Sequence, residues 1–314
     1  MWSIRAIGVG ALASGAIMGG SAQGLNPLGP PAATPGPEPR TPINLVNTPG
    51  DTNTLFRITE PGSYYLTGTI VADNAVHGIV ISASEVRVDL NGFALRTTVI
   101  TPGQEPLTAI LVSPEQENIV ILDGSATGWA ECGLDLTHAT GGIVENVIVS
   151  HCGSDGLRAG EAFVVRDCVS RDNSSIGIVV GEACRIVGNH CTSNGVGILL
   201  NGSNSRIESN SVASCQRTGI SVSFTADNNL ILGNSVIGTT LEDGIEFDIF
   251  TTGNLILNNT VIDNAGVGID NGNSPNLNEA FGNVGFLNMQ NFSAVSPFEM
   301  SPTNSTGAWS NLWR

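Results

Sequence analysis

The chain has 314 residues, a net charge of −16 and no lysine, since all twelve of its basic residues are arginine. A protein this acidic repels nucleic acid and anionic membrane surfaces, so the composition excludes both as partners. The length permits one large domain or two small ones, and an uninterrupted repeat over residues 55–275 favours one.

The first 22 residues have the features of a secretory signal peptide. They carry one charge, Arg5, then an apolar stretch rich in Gly and Ala, and they end with Gly20, Ser21 and Ala22. This composition predicts export with cleavage near Ala22, to a secreted, periplasmic or cell-surface location; the alternative is a disordered tail. The stretch is too short for a membrane span and no other segment is long enough, so membrane insertion is not expected.

Residues 23–54 are predicted to form a linker. Seven prolines fall between residues 24 and 42, which favours an extended, stiff segment without a core of its own. At the other end, residues 276–314 lose the repeat and are predicted to form a C-terminal cap or a loosely ordered tail.

Residues 55–275 repeat a short phrase, a small residue followed by Ile or Leu, every 20 to 31 residues. The phrases are Gly78-Ile79, Ala109-Ile110, Gly133-Leu134, Gly156-Leu157, Gly177-Ile178, Gly197-Ile198, Gly219-Ile220, Gly244-Ile245 and Gly268-Ile269. Apolar residues then alternate with period two, which is typical of a strand with one buried face. A fixed period of this size predicts a solenoid in which each repeat is one coil.

A second column of polar residues runs in step with the first. It comprises Asn91, Asp123, Asn146, Asp167, Asn189, Asn210, Asn234 and Asn259. Because Asn tolerates the left-handed backbone conformation of a tight corner, these positions are predicted to be corners. Stacked Asn side chains can also hydrogen-bond from coil to coil, so the column predicts an Asn ladder.

These two columns resemble the repeats of the pectin-lyase-like superfamily. The resemblance implies an all-β fold: a right-handed, single-stranded parallel β-helix of about nine coils with an Asn ladder. It further implies a polysaccharide as partner or substrate, because the superfamily includes lyases, hydrolases and epimerases. The superfamily also includes adhesins, and this sequence lacks the motifs of its named enzymes, so catalysis stays open beside a surface, structural or adhesive role.

One candidate site lies on the outward row of the strands that follow the small residues. That row is Val80, Leu111, Asp135, Arg158, Val179, Leu199, Ser221, Glu246 and Asp270. Asp135 and Arg158 are neighbours in it, and His138 is near the same strand end. For an acidic polysaccharide, Arg158 would hold a carboxylate while Asp135 or His138 moves a proton, which makes the three the candidate catalytic residues. The alternative is an exposed ion pair without function.

The second candidate is an acidic cluster in the later coils. Glu246, Asp248 and Asp270 face outward on adjacent coils, with Glu242 and Asp243 nearby. Carboxylate oxygens are the ligands that Ca²⁺ prefers, so these three residues are the predicted metal site. The alternative is a solvated acidic face in an acidic protein.

Six cysteines lie between residues 132 and 215 without the spacing of a metal knuckle. In an exported protein they can form disulfides, and six cysteines allow 15 connectivities. Buried free thiols are the alternative, and the sequence leaves the choice open.

Overall fold

The computed structural model describes residues 40–72, 76–97, 108–272, 278–293 and 312–313. In these residues the protein is an all-β parallel solenoid of about ten turns, so the predicted β-helix is confirmed with one coil more than expected. The predicted signal peptide, residues 1–22, lies outside the described residues. No helix in the described part of the chain is long and apolar enough to span a bilayer.

Strands are numbered in chain order. They are β1 (Thr41–Pro42), β2 (Thr54–Ile58), β3 (Gly62–Tyr65), β4 (Ile70–Ala72), β5 (His77–Ile81), β6 (Val86–Asp89), β7 (Ala94–Thr97), β8 (Ile110–Val112), β9 (Gln116–Thr127), β10 (Leu134–Ser150), β11 (Leu157–Arg166), β12 (Val169–Arg171), β13 (Ile176–Val180), β14 (Arg185–Val187), β15 (His190–Thr192), β16 (Val196–Leu200), β17 (Arg206–Glu208), β18 (Ser211–Ala213), β19 (Ile220–Val222), β20 (Leu230–Leu232), β21 (Ser235–Ile237), β22 (Ile245–Phe247), β23 (Leu255–Leu257), β24 (Thr260–Ile262), β25 (Val267–Asp270), β26 (Glu279–Phe281), β27 (Val284–Phe286), β28 (Gln290–Ser293) and β29 (Leu312–Trp313).

Each coil contributes one strand segment to each of three faces. Coils 1 and 2 are β2–β4 and β5–β7, coil 3 is β8–β9, coil 4 is the long β10, and coil 5 is β11–β12. Coils 6 to 10 then take three strands each, from β13–β15 to β25–β27. We call the face that begins with β2 the first face, and the second and third follow in chain order. The parallel strands of adjacent coils are about 4.8 Å apart.

In-register stacking of identical side chains forms the core. On the first face Ile198 pairs with Ile220, Ile220 with Ile245, and Ile245 with Ile269, and all four are fully buried. Burying each such side chain contributes about 1.5–3 kcal/mol. The outward row predicted from Val80 to Asp270 is confirmed by the same pairing, since each of its members lies beside the next.

The repeated small residue is explained by the space at the corner between the third and first faces. A Cβ on Gly177 would lie 2.6 Å from the carbonyl oxygen of Gly197 and 2.7 Å from Nδ2 of Asn194. Both are atoms of the next coil, which cannot move away without breaking the stacking. The corner therefore accepts no side chain at this position.

A buried Asn ladder runs along the corner between the second and third faces. It comprises Asn189, Asn210, Asn234, Asn259 and Asn283. Oδ1 of Asn210 accepts hydrogen bonds from the backbone N and from Nδ2 of Asn189, at 2.9 and 3.0 Å. Nδ2 of Asn210 donates to Oδ1 of Asn234 at 3.0 Å and to the carbonyl of Ile186 at 3.0 Å. Each side chain thus satisfies buried backbone groups of the adjoining coils.

The predicted column combined two adjacent positions, and this is a correction. Asn91, Asp123, Asn146 and Asp167 have left-handed φ angles of 53° to 56°, whereas the ladder members Asn189, Asn210, Asn234 and Asn259 do not have positive φ. In the strand register Asp167 stacks on Gly188, and Cys168 is the residue that stacks on Asn189. Corner and ladder are therefore consecutive residues, and the two were joined because both favour Asn.

Ladders also form at the other two corners. Asn173–Asn194 and Thr239–Asn264–Asn288 lie between the third and first faces, and Ser205–Asn229–Asn254–Asn278 lies between the first and second. In each step a side-chain oxygen accepts a backbone N–H of the preceding coil at 2.8 to 3.1 Å. The solenoid is therefore held at every corner of these coils.

Cysteines continue the ladders into the earlier coils. The backbone N of Cys168 donates to Asn189 Oδ1, that of Cys152 to Asn173 Oδ1, and that of Cys184 to Ser205 Oγ. All six cysteines of the chain are described, and all are buried, unpaired thiols. Burial raises the pKa of Cys132, Cys152 and Cys168 to about 12, so these groups stay protonated and pack as small apolar side chains.

Strands extend beyond the predicted limits of 55–275 at both ends. β1, inside the segment expected to be linker, pairs in parallel with β3. After residue 275, β26, β27 and β28 continue the three faces, and β29 pairs with β27. These segments cover strand edges that the terminal coils would otherwise expose.

Replacing Asn210 by Ala is expected to destabilise the protein by ~1–3 kcal/mol, because it leaves the buried amide groups of Asn189 without their acceptor. Urea unfolding of the variant and the wild type measures this difference. The exposed Asn201 is the matched control, and its replacement by Ala should change the free energy of unfolding by less than about 0.5 kcal/mol. Equal stability of the Asn210→Ala variant and wild type would contradict the ladder.

Candidate functional site

The edge where the first face turns into the second carries a cleft of about 420 Å³. It is lined by Ser84, Glu115, Gln116, Glu117, Thr137, His138, Ala139, Thr140 and Glu161. These residues come from coils 2 to 5, so four successive turns of the chain build one concavity. We call this edge of the solenoid the first edge.

A β-bulge in coil 4 gives the cleft its shape. Leu136 pairs with Ala159 and Thr140 with Glu161, so three residues of coil 4 face a single glycine, Gly160, in coil 5. Bulges of this kind turn side chains away from the strand direction. The extra residues carry Thr137 and His138 out of the stack and into the cleft. Ser84 Oγ donates to Gln116 Oε1 at 3.1 Å and accepts from the backbone N of Glu117 at 3.0 Å, which joins the neighbouring coils.

Asp135 and Arg158 lie together beside this cleft. Arg158 Nη1 is 3.5 Å from Asp135 Oδ2, and Arg158 Nε donates to Asp155 Oδ2 at 2.6 Å. Asp155 is buried and its other oxygen accepts the backbone N of Ile176 at 2.8 Å. The guanidinium is thus held by two carboxylates, and the charge of Arg158 is largely compensated before any ligand arrives.

His138 is close to this pair in sequence but faces the cleft. The intervening Thr137 donates its hydroxyl to Asp135 Oδ1 at 2.6 Å, which orients the bulge. Among the described hydrogen bonds, none joins His138 to Asp135 or Arg158. The three candidate residues therefore form two groups, an Asp135–Arg158 pair on the first face and a histidine on the first edge.

The acidic candidates also divide. Glu246 and Asp270 are paired on adjacent strands, and Thr218 donates its hydroxyl to Glu246 Oε2 at 2.9 Å. Burial raises the pKa of both Glu246 and Asp243, and the nearby charges of Glu242 and Asp270 raise them further. Asp248 lies in the turn after β22, where Oδ1 accepts the backbone N of Ile249 at 2.7 Å. Its described bonds stay within that turn.

Sequence reasoning missed the cleft glutamates and an exposed aromatic pair, Phe224 and Phe250. Both sets lie in corner segments, whereas the sequence analysis followed the outward row of the first face. The available signal was coil length, because the phrase spacing is 31 residues before Ala109 and 25 before Gly244, against 20 to 24 elsewhere. Longer spacings mark the coils with longer corner loops.

Residues 108–300 match the model of one protein family, described as periplasmic copper-binding protein (NosD). The chain belongs to this family. No curated protein matches the sequence closely enough to count as a relative.

Solved structures share the solenoid. A double mutant of the periplasmic alginate epimerase AlgG superposes with a TM-score of 0.58 at 11% identity, covering 88% of this chain and 82% of that one. The A-module of the mannuronan C-5 epimerase AlgE6 from Azotobacter vinelandii gives a TM-score of 0.50 at 13% identity and covers 88% of both chains. At these identities the similarity establishes the fold alone.

The residues present do not fit a copper ion. Copper in proteins is bound by thiolate, thioether and imidazole groups. All histidines and cysteines of the chain are described, yet the described residues contain no group of three or more His, Cys, Asp or Glu placed to share a metal. The six thiols are buried and used as core or ladder residues.

Replacing Glu246 by Gln is expected to stabilise the protein at neutral pH. A carboxyl whose pKa is raised in the folded state favours folding below its unfolded pKa, and this contribution is lost as the pH rises through the folded pKa. At pH 7 the charged Glu246 is therefore unfavourable, and Gln keeps an acceptor for Thr218. Tm should rise by about 1–3 °C at pH 7, with a smaller rise at about pH 4.

Thermal unfolding at both pH values measures this effect, and Glu60→Gln, at an exposed position, is the control. A Tm that falls at pH 7, or that changes equally at both pH values, would contradict the assignment.

Proposed function

We propose that this protein is an exported solenoid that binds polysaccharide along its first edge. The observation that carries the proposal is the cleft of about 420 Å³ that coils 2 to 5 build around the bulge at His138. Clefts of this volume are typical of ligand sites. The family description as periplasmic and the similarity of the fold to alginate epimerases support the location and the ligand class. Export would be followed by removal of the leader near Ala22.

The cleft is chemically suited to sugar hydroxyl groups. Gln116, Thr137, Thr140 and His138 both donate and accept hydrogen bonds, while the glutamates accept them. Because three carboxylates, Glu115, Glu117 and Glu161, line it without a lysine or arginine, a polyanion is disfavoured. We therefore propose a neutral glycan as the ligand.

Asp135, His138 and Arg158 are our candidates for any chemistry on a bound sugar. Arg158 already donates to Asp155 and lies beside Asp135, so holding a sugar carboxylate would require it to give up bonds it has. Binding without turnover is therefore the function that this arrangement supports best. Lyase or hydrolase activity is the catalytic alternative to be tested beside it.

His138→Ala is expected to weaken glycan binding about tenfold, a loss of about 1.4 kcal/mol. Calorimetry against pectins, alginates and neutral plant and algal glycans measures the affinity. The same samples are assayed for ultraviolet-absorbing unsaturated products of a lyase and for reducing ends released by a hydrolase. His190→Ala, an exposed histidine on the third face, is the control and should bind as wild type does.

No binding to any glycan by the wild-type protein would contradict this function and favour a structural or adhesive role. Turnover that is lost in variants of Asp135 or Arg158 would instead favour the enzyme.

We also propose that Glu246, Asp248 and Asp270 bind Ca²⁺. A divalent cation would relieve the repulsion that raises the pKa of Glu246 and Asp243. A bound ion stabilises the folded state, so Tm should rise with Ca²⁺ at millimolar concentration in the wild type and less in Glu246→Gln. Calorimetry without heat of binding, together with an unchanged Tm, would reject the metal site.

A further inference from the structure

Two phenylalanines project from the first edge in coils 8 and 9. The rings of Phe224 and Phe250 pack edge to face with centroids 5.4 Å apart and planes at 81°. Phe224 is 52% and Phe250 57% exposed, so more than half of each residue is in contact with solvent. The buried residues beneath them, Ala226 and Phe247, already close the core at this edge.

The backbone at Phe250 is strained for the benefit of no visible packing. Its φ angle is 63°, in the left-handed region that bulky residues avoid. A glycine there would relieve the strain and would leave the core unchanged. Strain kept at an exposed aromatic position points to a function of the ring outside the fold itself.

The aromatic pair and the cleft share one edge. The cleft ends at Glu161 in coil 5 and Phe224 lies in coil 8, which is three coil spacings or about 14 Å further along the axis. Between them the turns are tight: a Cβ on Gly202 would lie 2.4 Å from the backbone N of Glu182. No side chain can stand at that position, so the passage between cleft and rings is low.

Polar groups flank the rings. The carboxylate of Asp227 accepts the backbone N of Thr252 at 2.7 Å, and the exposed Asp248 lies beside Ile249 in the same turn as Phe250. An apolar ring face bordered by hydrogen-bond acceptors matches a sugar ring, which presents C–H groups on its face and hydroxyl groups at its rim. The carboxylates again disfavour an anionic ligand.

We propose that Phe224 and Phe250 form a sugar-stacking subsite for the same neutral polysaccharide whose neighbouring segment fills the cleft. This inference rests on the proposed function and assigns the ligand a minimum length, since one chain reaches both places. A disaccharide fills only the cleft, whereas a polymer lies along the edge from His138 to Phe250.

The test compares a neutral glycan polymer with its disaccharide in calorimetry, using Phe250→Gly and Phe224→Ala. Both variants should bind the polymer at least about tenfold more weakly, with unchanged affinity for the disaccharide. Because glycine relieves the left-handed strain, Phe250→Gly should keep or raise Tm. The matched control is Leu287→Gly, which removes an exposed apolar side chain with φ of 57° at another corner and should leave binding unchanged.

The outcomes separate the two proposals. A wild-type protein that binds no glycan overturns the proposed function and this subsite with it. A wild-type protein that binds the polymer, with Phe250→Gly and Phe224→Ala binding equally well, overturns the subsite alone. A Tm lowered by several degrees in Phe250→Gly also overturns it, because the ring would then be holding the corner together.

Discussion

The fold depends on hydrogen bonds made at the corners, where the sheet ladder is interrupted and backbone groups remain buried. Asn210 shows the arrangement: its oxygen accepts the backbone N of Asn189, while its amide donates to Asn234 and to the carbonyl of Ile186. An unpaired buried amide costs about 1–3 kcal/mol, so corners without such side chains would disrupt the solenoid coil by coil. The ladders also fix the register, since each oxygen fits one position of the next coil.

A solenoid held in this way can vary its edges without losing its faces. Identical inward side chains stack through coils 6 to 10, and the corners between the first and second faces carry the differences in length. The bulge at Thr137 and His138 and the turn at Phe250 are both of this kind. Extra corner residues project outward, because the in-register strands on either side leave them no other place. The first edge therefore holds both the cleft and the aromatic pair.

Charge decides which ligand such an edge can accept. The protein carries −16 overall, and the cleft contributes three carboxylates without a cation. Arg158 is the nearest arginine in the outward row and is compensated by Asp135 and Asp155. Although similar folds belong to alginate epimerases, this chain's own electrostatics favour a neutral glycan over a polyanion. The family's copper description likewise finds no matching ligand set among the described residues.

The sequence by itself determined the solenoid, its period and the outward row from Val80 to Asp270, because an alternation of period two repeats identically in every coil. It could not separate the left-handed corner at Asp167 from the ladder position at Cys168, since both columns favour Asn and only the pairing register tells them apart. Nor could it place His138 apart from Arg158, or bring Phe224 to Phe250. Those relations depend on how corner loops of unequal length fold over neighbouring coils, and local patterns carry no record of that.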